Sequence, residues 1–148
     1  FDMVVTWIHN DVSLAVSLAS GIHEHMKNHA HRDHLCIFYR IRGSGAADPL
    51  HRESNPVPMF VISNYSQHLI YQEIILGFVI EEDGSSRYNT NEEISQGVFN
   101  IVKQWRQYVN QARFAREDIS VNNKKFKCSI VGVVQPWEMR PKSGDAIT

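Results

Sequence analysis

The 148-residue sequence is short of the residues that staple or interrupt a chain, with two cysteines, five prolines and eight glycines. Two cysteines cannot form a disulfide framework of the kind that holds small secreted domains together. Cys36 and Cys128 both lie in apolar, strand-like runs, where they read as buried reduced thiols. No apolar run approaches the roughly 20 residues that a membrane-spanning helix needs. Phe1-Asp2-Met3 offers no basic stretch ahead of an apolar one, so no leader is visible and an intracellular location is expected. An excess of one charge is also missing, because the formal net charge is −1. That excludes polyanion binding by bulk attraction alone. No G-x-S-x-G elbow, kinase signature or dinucleotide fingerprint occurs. Gly43-Ser44-Gly45 follows a strand-like run, but Pro49 comes too soon for a helix and no Lys-Ser/Thr follows, so it reads as a flexible turn.

The residues present are those of a soluble globular protein, 43% apolar and 21% charged. No repeat, low-complexity stretch or linker divides the chain, so residues 1–148 read as one domain, with 141–148 a loose polar tail.

Residues 3–8 are β-branched and aromatic and predict a strand. Asn10 or Asp11 then offers an N-cap for a helix over 12–26, with apolar residues at 14, 15, 18, 19, 22 and 26. Residues 35–42 predict a second strand and 57–63 a third. Residues 68–80 predict a long strand bent near Gly77, with a helix over 67–76 as the competing reading. Thr90-Asn91-Glu92-Glu93 spells a capping box. The helix after it, to about residue 115, carries Ile94, Val98, Ile101, Val102 and Trp105 on one face. A last strand over 126–134 stops before Pro136. This order predicts an α+β fold: a single, mostly antiparallel sheet with two main helices on one face. Setting the 57–63 strand aside as an insertion leaves the ferredoxin-like order βαββαβ.

Two features carry candidate chemistry. Five of the eight histidines crowd into residues 23–34, and His29-Ala30-His31-Arg32-Asp33-His34 spells H-x-H-x-D-H. The spelling is similar to the metal motif of the metallo-β-lactamase superfamily. In an extended turn, His29, His31, Asp33 and His34 would suit zinc and metal-assisted hydrolysis. That superfamily places its motif at the end of a buried strand, however. Here a helix end precedes it, and only His51 and His68 follow. A solvated, histidine-rich helix terminus is the simpler reading, and no cofactor is expected.

The second feature is a charge split. Residues 1–99 hold six Lys/Arg against twelve Asp/Glu, whereas residues 100–148 hold nine against four. Lys103, Arg106, Asn110 and Arg113 form a stripe along the second helix, continued by Arg116, Lys124 and Lys125. The long 43–56 loop presents His51 and Arg52. These residues point to a non-enzymatic interaction module that binds a protein partner, or a second copy of itself, through a basic helix face. RNA or single-stranded nucleic acid is the alternative occupant of that face. A metal-dependent hydrolase at the histidine cluster is the third reading.

Overall fold

The structure, a computed structural model, describes residues 2–8, 11–29, 36–47, 69–114 and 127–141. Strand β1 (Asp2–Trp7) leads into helix α1 (Val12–His29) and strand β2 (Cys36–Gly43), which runs into a short 3-10 turn (Ser44–Ala47). Strand β3 (Leu69–Leu76) breaks at Gly77 into β4 (Phe78–Ile80), which turns back as β5 (Ser86–Tyr88). Helix α2 (Asn91–Phe114), strand β6 (Lys127–Val131) and a second 3-10 turn (Trp137–Met139) complete the described chain. The predicted 57–63 strand lies outside the described residues, as do residues 142–148 of the predicted tail. Pro141, the tail's first residue, is buried, and its carbonyl accepts a hydrogen bond from Tyr88 Oη at 3.0 Å.

Helices and strands are both present, as an α+β composition requires, but the sheet is not the expected one. The main sheet runs β1-β2-β3-β6 and every neighbouring pair is parallel. Among the described strands only β4 and β5 pair antiparallel, as a hairpin, and Phe78 makes one isolated antiparallel bridge to Val133. The expected mostly antiparallel sheet, and with it the ferredoxin-like order, is therefore corrected. A parallel pair needs a long crossover connection, and α1 and α2 lie in two of these connections. Burial gives the physical reason. β3 is buried at all eight positions and β2 at seven of eight. A strand covered on both faces has no polar side and no alternating pattern.

The two helices accordingly lie on opposite faces, not on one. Ile37, Tyr39 and Ile41 of β2 and Ile70, Ile74 and Leu76 of β3 form one core with Trp105 of α2, and Ile94, Val98, Ile101 and Val102 pack against it. The alternate residues Cys36, Phe38, Leu69 and Tyr71 meet Ala15, Ala19 and Met26 of α1. Each fully buried large apolar side chain contributes about 1.5–3 kcal/mol. Cys36 belongs to this second core, but Cys128 is exposed on edge strand β6, which corrects the expectation of two buried thiols. Both are free.

Local chemistry sets the helix ends. Asp11 Oδ1 accepts from the Ser13 hydroxyl at 2.6 Å and the Leu14 amide at 2.9 Å, and these bonds hold its carboxyl below the usual range. The capping box before α2 forms as spelled. The Thr90 amide donates to Glu93 Oε2 at 2.8 Å, and the Glu93 amide donates to Thr90 Oγ1 at 3.2 Å. Gly77 lies where β3 bends. A Cβ there would stand 2.1 Å from the Val133 carbonyl oxygen, so only glycine lets the two backbones meet. No described helix is long and apolar enough to cross a membrane.

Candidate functional site

Because the four strands of the main sheet are parallel, their carboxyl ends share one edge. Open parallel sheets bind ligands in the crevice at that edge. Here it holds a cleft of about 490 Å³. Trp7 closes it from the end of β1, Gly43-Ser44-Gly45 from the end of β2, and Leu76-Gly77 from the end of β3. Tyr88 ends β5 and Asn89 follows it, and Asn91, Ile94 and Ser95 come from the first turns of α2. The walls are more apolar than polar, and among the described residues the only charged side chain lining them is Arg140.

Arg140 is held from two sides. Its Nε donates to Ser44 Oγ at 2.7 Å, and its guanidinium carbon stands 5.2 Å from the Trp137 ring centroid. The turn after β6 thus carries a cation back across the edge and ties it to the turn after β2. Asn89 is buried, and its Nδ2 donates to the carbonyls of Gly77 at 3.0 Å and Val131 at 3.3 Å. One amide therefore fastens the ends of β3 and β6 to the start of α2. Trp7 is the exposed wall, with 60% of its surface open.

Behind the helix start, Arg87 clamps Glu93 bidentately, through Nη1 at 2.8 Å and Nη2 at 2.9 Å, and its Nε also binds Glu81. This guanidinium first, and then the Thr90 amide, pull the Glu93 carboxyl down to about 2. The side chain that caps α2 is thus engaged elsewhere and does not line the cleft.

A buried charge cluster lies on the α1 side of the sheet. Glu73 stands 3.6 Å from Arg40 Nη1 and 3.4 Å from Arg42 Nη1, and it accepts from Tyr71 Oη at 2.7 Å. Arg40 also donates through Nε to the Ile8 carbonyl at 2.8 Å. Burial, reinforced by the Glu73 charge, pushes the Tyr71 phenol well above its ordinary value. Arg40 is fully buried and Glu73 nearly so, which makes this network structural.

The residues singled out from sequence fall elsewhere. Lys103, Arg106 and Asn110 are exposed on α2, beside Phe99, which is 60% open. Neither Lys103 nor Arg106 forms an ion pair with a described residue. Arg113 lies on the same helix, but its side chain is outside the described set. Arg116, Lys124, Lys125, His51 and Arg52 lie outside the described residues, as do His31, Asp33 and His34. His29 ends α1, and its side chain is likewise not described. Among the described residues no three His, Cys, Asp or Glu side chains gather as a metal site.

Sequence reasoning missed Trp7, Ser44, Asn89 and Arg140 as site residues. None belongs to a spaced motif, and they meet only because parallel strands bring their ends together. The available signal was Gly43-Ser44-Gly45 directly after a strand, which was read as a flexible turn. Compared with protein-family models, curated proteins and solved structures, the chain matches none.

Proposed function

We propose that the chain is a binding module that holds a small anionic molecule with a flat apolar portion in the cleft at the carboxyl edge of the sheet. The observation that carries this reading is Arg140, the single charged side chain among the described lining residues, oriented by Ser44. A guanidinium of fixed direction recognises a phosphate or carboxylate. Trp7 supplies an open indole face for a flat ring. Beside Arg140, the described lining offers the hydroxyls of Ser44, Tyr88 and Ser95 and the amides of Asn89 and Asn91, groups suited to hydrogen-bonding a polar ligand. Adenosine monophosphate is a suitable probe, since it joins a flat ring to a phosphate. Isothermal titration should show saturable binding that Arg140→Ala weakens at least tenfold and Lys103→Glu leaves unchanged. Equal binding by the wild type and Arg140→Ala, or none by either, would refute the reading.

A second reading rests on the outer face of α2. At 100° per residue, Phe99, Lys103, Arg106 and Asn110 fall in one stripe, and all four are exposed. This cationic face with an aromatic at one end suits an acidic protein partner, and single-stranded RNA is the competing occupant. Binding of an acidic peptide that Lys103→Glu abolishes would support the protein reading. Affinity for single-stranded RNA that falls steeply with salt would shift it to nucleic acid.

A further inference from the structure

The β1 edge of the sheet differs from the rest of the surface. No described strand pairs with its outer side. β1 opens on a charged residue, Asp2, but Met3–Trp7 after it carries no charge or proline, the usual devices that keep an edge strand from pairing. On the α2 side, Met3, Val5 and Trp7 are exposed in a row at 39%, 44% and 60%. On the α1 side, Val4, Leu18, Ile22, Met26 and Cys36, with Ser17 and His25, line a mostly apolar groove of about 350 Å³ beside the same strand, and Leu14 is 47% open on the same flank of α1. Both flanks of one free edge are therefore apolar.

We propose that this edge pairs with the β1 edge of a second copy of the chain, antiparallel about a two-fold axis normal to the sheet, giving one continuous eight-stranded sheet. This goes beyond the ligand cleft, with which it shares Trp7, and its tests do not use the ligand. The register follows from the side chains. Residues opposite each other in an antiparallel pair share a face. Placing Val5 against the partner's Val5 sets Met3 against the partner's Trp7, and Trp7 against the partner's Met3. The three exposed residues of one copy then cover the same three of the other, and Val4 falls opposite the partner's Thr6. A shift of two residues, centred on Val4, would leave Trp7 overhanging.

Charge and area both point to a second copy. The strip is uncharged, so it offers nothing to an acidic or basic partner but is complementary to itself. An 18-residue helix is about 27 Å long at the usual rise. With a sheet-plus-helix thickness near 20 Å, the edge presents on the order of 500 Å² per copy, so two copies reach about 1,000 Å², the lower size of a specific interface. The two-fold places α1 of both copies on the same side of the seam, where their Leu14 and Leu18 close the grooves.

Two experiments test the dimer. Sedimentation equilibrium at micromolar concentration should give twice the 17.0 kDa of one chain. Val5→Lys should weaken association roughly hundredfold or more, because it buries an ammonium beside its own copy. Its circular dichroism should be unchanged, since Val5 lies outside both cores. Mild oxidation tests the register without relying on Val5→Lys. In a Cys128→Ser background, Val5→Cys should cross-link to itself, because directly opposed Cα atoms stand about 4.5–5.5 Å apart, within disulfide reach. Thr6→Cys in that background should not. A monomer at every concentration, or a dimer indifferent to Val5→Lys, overturns the proposal. Equal cross-linking at positions 5 and 6 overturns the register.

Discussion

Arg140 Nε donates to Ser44 Oγ at 2.7 Å across 96 positions of sequence. The bond joins the turn after β6 to the turn after β2, and it aims the only cation among the described residues that line the cleft. Ser44→Ala leaves the guanidinium steered by the Trp137 ring alone. Binding of adenosine monophosphate should weaken about three- to tenfold, the scale of one lost orienting hydrogen bond. Thermal stability should change little. Calorimetric titration beside a melting curve separates the two effects.

Gly77→Ala should be among the most damaging single changes in the chain. The added Cβ would meet backbone, the Val133 oxygen at 2.1 Å and the Val131 oxygen at 3.1 Å, and neither can move aside as a side chain could. A loss of about 4 kcal/mol or more is expected in urea unfolding. Gly97→Ala is the comparison, because its Cβ would meet Val131 Cγ1 at 2.6 Å, a side-chain atom, and it should cost less.

Glu73→Gln removes the carboxylate that faces both Arg40 and Arg42. Two buried guanidinium groups then lose their shared counter-charge, and unfolding free energy should fall by about 3–5 kcal/mol. Replacing Glu82, which is exposed, should leave stability within about 0.5 kcal/mol.

The Arg87–Glu93 clamp predicts a pH effect with a definite sign. Glu93 sits at about 2 in the fold against an ordinary 4.5, so its contribution is complete above the ordinary value and is lost as pH falls from 4.5 through about 2. Its side-chain carboxyl resonance should titrate near 2. In Arg87→Ala the midpoint should return toward the ordinary range, and the acid sensitivity of unfolding over that window should shrink.

The helices and their starts were legible because their signals are local. Asp11 caps α1, and Thr90 with Glu93 caps α2 as the spacing predicts. Gly77 was legible as the bend in a long strand. Strand direction was not, because nothing in a run such as Leu69–Leu76 states which way its neighbours point. The available clue was the lack of alternation in Cys36-Ile37-Phe38-Tyr39 and in Ile70-Tyr71, which marks strands buried on both faces. β5 was missed because three residues are too few to show a period. The cleft was illegible for the same reason as the topology: Trp7, Ser44 and Arg140 are neighbours only once the strands run parallel.

Parallel pairing also governs how the molecule can assemble. The main sheet contains no hairpin, so none of its seams can zip up from a tight turn outward. Leu76 meets Val131 only after the whole excursion through α2 has been synthesised and folded back. Such distant seams close slowly. Until β6 arrives, one long side of β3 stays raw, and the nascent chain must shield a strand made almost wholly of core residues.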